Sequence, residues 1–209
     1  MGLDITTLIA DWSWLGELPA RERLPRLRDA WYDDRTGFWD RDRPAPAGDG
    51  GWEWPRGPHS AYFGVYEFPG TCGSFKPHFW AGEAWENVRD HADPALRAEL
   101  DTLLGGLTWD GPDFEDEREC EGRAFFTDDP EVSYGVLVVC APERVRELLA
   151  TWERVRPRLD VLRAPFDRYT AEPQGWIPDF DSFVRLLTGW GYVLAEAARR
   201  GWGIVGVSE

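Results

Sequence analysis

Gly70-Thr71-Cys72-Gly73-Ser74-Phe75-Lys76-Pro77-His78 is the most suggestive short stretch of this chain, with a thiol nucleophile and a base close together. Flanking glycines would expose the Cys72 thiol at a turn, and a histidine is the residue type that would draw its proton to make a reactive thiolate. The chemistry such a pair supports is nucleophilic hydrolysis. No GxSxG elbow accompanies it, and two side chains in one tight loop need not face each other. We therefore read the stretch as a glycine-rich connection after a strand and assign no catalytic residue. Cys72 and His78 stand as the alternative, a hydrolase or small-molecule binder with a Trp-lined cleft around them.

His59, Cys72, His78 and His91 include the right donor types for zinc, but their spacings match neither HExxH nor paired CxxC. No metal and no cofactor is expected. The acids Asp110, Asp113, Glu115, Asp116, Glu117, Glu119 and Glu121 lack the alternating register, central glycine and terminal glutamate of a calcium loop. They read as a solvated acidic strip or a docking surface for a basic partner. No phosphate loop and no GxGxxG after a strand occurs. Trp52, Trp54, Phe75, Phe79 and Trp80 flank one expected strand on loops, where they would form either a satellite core or an aromatic platform for a ligand or partner. The binding candidates are therefore Trp52, Trp54, His59, Phe75 and Trp80, with Asp113, Glu115, Asp116 and Glu117 in the acidic strip.

Thirteen tryptophans in 209 residues must be housed, and each buried indole N–H needs an acceptor. Thirty-eight acids against 23 bases give a net charge of −15, a field that repels phosphate backbones and anionic membranes and attracts basic partners. Residues 110–131 alone carry ten acids against Arg118 and Arg123, more than half of that excess. Neither nucleic acid nor membrane is an expected partner. The longest apolar run, Val136 to Ala141, is far short of the roughly 20 residues of a membrane span. The opening residues carry no export signal, and three cysteines without CxxC spacing suit a reducing compartment, so the cytoplasm is the expected location.

The pattern predicts a single α+β domain over 1–209, with a mainly antiparallel sheet of about five strands layered with four to five helices. Strands are expected at 3–9, 61–68, 123–127, 134–140 and 202–207, the middle pair forming a hairpin across Asp128-Asp129-Pro130-Glu131. A helix over about 25–33 would carry Pro25 in its first turn. Asp93-Pro94 and Pro142 open two more helices, and Asp179 caps a last one whose apolar residues run from Phe180 to Ala198. Gly189 and Gly191 inside it each cost about 1 kcal/mol against alanine, which argues for close backbone approach by a neighbouring element. Mobile and acidic loops are expected near 40–58 and 110–122, and a proline-pinned irregular connection at 157–178.

Met1-Gly2-Leu3-Asp4-Ile5 and the closing aromatic helix with Gly201-Trp202-Gly203-Ile204-Val205 resemble uncharacterised bacterial proteins that begin MGLD. The resemblance covers the two ends and implies no activity. The expectation from charge and aromatics is a non-catalytic binding protein that engages a basic protein partner, immunity or antitoxin-like by analogy of size and charge. A small-molecule ligand stacked on tryptophan is the other binding mode the composition supports. The sequence does not fix the oligomeric state.

Overall fold

The computed structural model describes residues 5–38, 51–69, 76–109, 122–127, 136–172 and 177–208. Its centre is a five-stranded sheet, with strands β1 (Ile5–Ala10), β2 (Gly51–Glu53), β3 (Phe63–Glu67), β4 (Val136–Cys140) and β5 (Gly203–Ser208) in the order β2-β3-β1-β5-β4. Every neighbouring pair is antiparallel. The register places Leu8 opposite Val65 on one side and Val205 on the other, so the middle strands β1 and β5 are sealed in the sheet. The α+β class expected from sequence is the class observed.

Both faces of the sheet are buried, because the central strands are apolar at odd and even positions alike. Ile5, Ile9, Tyr66, Phe68, Val138 and Ile204 point into a large core shared with helices α3 (Lys76–Val88), α4 (Pro94–Gly105), α5 (Pro142–Val155), α6 (Arg163–Tyr169) and α7 (Phe180–Arg200). Leu8, Ala10, Phe63, Val65, Val139, Val205 and Val207 point the other way, onto the short helix α1 (Trp12–Gly16) and α2 (Ala20–Tyr32). The result is three layers, helix on sheet on helix.

Local signals account for the helix ends. Asp93 accepts from the N–H groups of Ala95 and Leu96, and Pro94 follows at the first helical position. Asp179 caps α7 by accepting from Ser182 N–H, and Gly201 ends it in the left-handed conformation at φ 71°. The interruptions at Gly189 and Gly191 are slots for rings. A Cβ at Gly191 would lie 2.2 Å from Nε1 of Trp152, and one at Gly189 2.8 Å from the Phe68 ring. Side-chain rings, not a neighbouring backbone, make the close approach.

Five local expectations are corrected. Arg123–Phe125 is a 3-10 turn and not a strand, since Arg23 ties this segment to α2: its Nη1 donates to the Phe125 carbonyl at 2.7 Å and its guanidinium lies 4.1 Å from the Phe125 ring centroid. β4 pairs with β5, and with no strand at 123–127 the expected hairpin does not form. Pro25 sits inside α2, which begins at Ala20, rather than in its first turn. The stretch after Pro157 forms a 3-10 turn over Arg156–Leu162 and then α6, because Leu159, Leu162 and Phe166 are buried in the helical layer. Lastly, Gly51–Glu53 pairs with β3 as an edge strand inside the expected loop near 40–58, of which 40–50 lie outside the described residues.

Candidate functional site

A ladder of aromatic rings runs along the edge of the sheet on its five-helix face. Trp52 of β2 stacks on Trp54, with centroids 5.2 Å apart and planes 21° from parallel, and meets its cross-strand partner Tyr66 edge-on at 5.1 Å. Tyr66 contacts Phe68 at 4.9 Å, and Phe68 contacts both His78 and Trp190 at 4.8 and 4.9 Å. Trp54 fits here because Gly64 lies beneath it: a Cβ at Gly64 would come within 2.3 Å of the indole. The ladder begins in an open groove and ends in the core.

At the open end, Gly51, Trp52 and Tyr66 form one wall of a groove of about 410 Å³, and Tyr192, Ala195, Glu196 and Arg199 of α7 form the other. The helical wall follows from spacing: positions 192, 195, 196 and 199 fall on one stripe of an α-helix. Tyr192 is 60% exposed there. The groove's polar content is held in place. Arg199 donates to both Glu196 oxygens, from Nε to Oε2 at 2.7 Å and from Nη2 to Oε1 at 2.6 Å, and Arg200 Nε donates to Oε1 at 2.7 Å. The Arg199 hydrogen bonds, with Arg200 adding to them, hold the Glu196 carboxyl down at about 2. Arg200 in turn lies 4.0 Å from the Trp54 ring centroid and 4.8 Å from that of Trp202, which couples the ion pairs to the indoles. Burial, reinforced by Tyr192, raises the Tyr66 phenol, so it keeps its proton at neutral pH.

At the closed end, His78 is 1% exposed and Trp190 donates its indole N–H to His78 Nδ1 at 3.1 Å. That acceptor role leaves Nδ1 unprotonated and places the proton of the neutral ring on Nε2. Burial pushes His78 down to about 3. A histidine so placed is a core acceptor for an indole and a poor base at neutral pH. It also lies on α3, which starts at Lys76, and not in the loop expected for it. Cys72 and Phe75 lie outside the described residues.

The remaining candidates do not join this ladder. His59 lies in the 3-10 turn Gly57–Ala61, with Nε2 3.1 Å from Asp33 Oδ2 and its ring 6.5 Å from that of Phe63, whose side chain belongs to the opposite core. Asp33 is meanwhile bound by both Nε and Nη2 of Arg35, which together with the Arg35 backbone N–H and His59 holds its carboxyl far below the usual range. The sheet thus separates His59 from His78. Phe79 and Trp80, expected on a loop, sit on α3 and touch each other edge-on at 5.8 Å; Phe79 is exposed and Trp80 half-buried. Trp52 lies on an edge strand rather than a loop. Asp113, Glu115, Asp116 and Glu117 lie outside the described residues. Cys140 is buried, its thiol donating to the Gly106 carbonyl at 3.7 Å. Among the described residues no three His, Cys, Asp or Glu side chains cluster as a metal site would require, and no helix is long and apolar enough to cross a membrane.

Sequence reasoning named Trp52 and Trp54 as binding candidates and did not name Tyr66, Tyr192, Glu196 and Arg199, which line the groove with Trp52. A usable signal existed in α7, where an aromatic and two opposite charges recur at i, i+4 and i+7 on the polar side of an otherwise apolar helix. No family model matches this chain, and neither a curated protein nor a solved structure matches it.

Proposed function

We propose that this chain is a binding protein whose ligand is a small molecule held against Trp52 in the groove between β2 and α7. One observation carries the reading: aromatic walls and a fixed carboxylate–guanidinium set converge on a single open concavity of ligand size. Binding is favoured over turnover by the protonation states. Glu196 stays ionised down to about pH 2 and the buried His78 stays neutral down to about pH 3, so neither is poised to exchange a proton near neutrality. A mixed screen of neutral sugars, aromatic acids, nucleosides and quaternary ammonium compounds, read by saturation transfer, tests the reading. The expected result is at least one compound whose signal disappears in Trp52→Ala. A screen without binders, or one whose binders ignore that substitution, contradicts it.

A second reading, a basic protein partner, is favoured by the distribution of charge. Arginines and acids nearly balance over the described residues and pair with one another, as in Arg154–Glu99 at 2.6 Å, Arg158–Asp93 at 2.9 Å, Arg163–Asp181 at 3.0 Å and Arg89–Asp101 at 2.7 Å. The surplus of −15 therefore belongs chiefly to the stretch of ten acids in 110–131. A strip of that density steers a basic surface at low salt. Neutralising Asp113, Glu115, Asp116 and Glu117 to amides should abolish low-salt retention of a polyarginine peptide. Equal retention by the variant and the unaltered chain would remove the strip from consideration.

A further inference from the structure

We infer that the groove takes a neutral carbohydrate ring, a pyranoside that lays its C–H face on Trp52 and turns its hydroxyl groups toward Glu196, Arg199 and the two tyrosines. The inference rests on the groove being a ligand site and adds the class of ligand. Four features of the site point to it.

An aromatic ring face is negative and attracts polarised C–H bonds, which one face of a pyranose presents in a flat array. Trp52 is stacked on Trp54 by 5.2 Å and braced by Tyr66, so it is already held as a platform. Charge then decides against ionic ligands. A cation would meet a carboxylate that already carries the guanidinium groups of Arg199 and Arg200, leaving the trio one positive charge in excess. An anion would be repelled by the Glu196 carboxylate, which Arg199 Nε and Nη2 hold at the groove wall at 2.7 and 2.6 Å. A hydroxyl group meets neither obstacle. It donates to a carboxylate lone pair and accepts from a guanidinium or phenol hydrogen while the ion pair stays intact.

The tyrosines extend the same logic. Tyr66 and Tyr192 both line the groove, each phenol able to donate and to accept, and burial keeps the Tyr66 proton in place. Volume agrees: about 410 Å³ lies in the lower part of the range for small-molecule sites and suits one or two sugar rings.

The test uses the full chain and saturation-transfer spectra with methyl glucosides, galactosides and mannosides at millimolar concentration, beside sodium benzoate and tetramethylammonium chloride. At least one pyranoside is expected to bind saturably, about tenfold more weakly in Trp52→Ala and about threefold more weakly in Tyr192→Phe, which removes a single hydroxyl. Tyr192 is exposed, so its variant keeps the test readable if Trp52→Ala disturbs the sheet edge. Trp52-dependent binding of benzoate or tetramethylammonium without any pyranoside would overturn the carbohydrate assignment and leave the groove standing. Absence of binding by all three classes would overturn both.

Discussion

The two ends of the aromatic ladder are built from the same kinds of residue and differ in what surrounds them. At the inner end Phe68, His78 and Trp190 are packed against one another, and the polar atoms of the histidine–indole pair face each other at 3.1 Å. At the outer end Trp52 and Tyr66 face a groove, and the polar groups beside them, Glu196 and Arg199, belong to a helix stripe that reaches solvent. Residue type alone would favour the inner end as the reactive one, since it holds the histidine. Burial reverses that ranking: an imidazole pushed down to about 3, whose Nδ1 accepts from an indole, is a poor base at neutral pH. A site requires convergence together with access.

Substitutions in the buried core that holds the inner end should have the largest effects. Gly191→Ala gains about 1 kcal/mol of helix propensity but drives a Cβ to 2.2 Å from Trp152 Nε1. Overpacking of that kind costs about 1–3 kcal/mol or more, so net destabilisation is expected in a urea melt. An unchanged or raised midpoint would show that the helix is not cut to receive the indole. His78→Phe leaves the Trp190 N–H buried without its acceptor, at a cost of about 1–3 kcal/mol.

The same histidine should make stability depend on pH. Its folded value lies below the unfolded 6.5, so the unfolded chain binds the extra proton and stability falls as pH drops from about 6.5 toward 3. The slope from this one group reaches about 1.4 kcal/mol per pH unit and should vanish in His78→Phe. Identical slopes in the two proteins between pH 6 and pH 5 would contradict the buried neutral state.

Smaller effects are expected at the outer end. Glu196 is held below its ordinary 4.5, so the contribution of its ion pairs is complete above that value and is lost as pH falls toward about 2. The arginine it binds most fully, Arg199, is largely exposed, and Glu196→Gln should cost under about 1 kcal/mol in a melt near neutral pH. A loss of several kcal/mol would mean that the pair is structural rather than part of an open site. Tyr192→Phe should leave stability within about 0.5 kcal/mol while weakening pyranoside binding, the least thermodynamic change for the clearest functional one.

Much of the scaffold was legible in the sequence because its signals are local. The cap and proline of Asp93-Pro94, the apolar stripe of α7 and the glycine that closes it each work within a few residues, and the structure has them in place. Expectation failed where tertiary contact overrode composition. Arg123–Phe125 has strand-like aromatics yet turns because Arg23, a hundred residues away, binds its backbone. Gly51–Glu53 is three residues long in a glycine-rich stretch and becomes a strand only by pairing with β3. The groove combines both cases. Its helical wall was readable from the spacing of Tyr192, Glu196 and Arg199, whereas its strand wall depended on a pairing that no short window reveals.

Fluorine spectra of the chain labelled with 5-fluorotryptophan compare the two ends in one experiment, with Trp52 and Trp190 assigned by single replacement with phenylalanine. A methyl pyranoside mixture, sodium benzoate and tetramethylammonium chloride are added in turn. The Trp52 resonance is expected to move saturably with at least one of them while that of Trp190 stays fixed. A stationary Trp52 signal through all three additions, or a saturable shift at Trp190 instead, would contradict the assignment of the groove as the binding site.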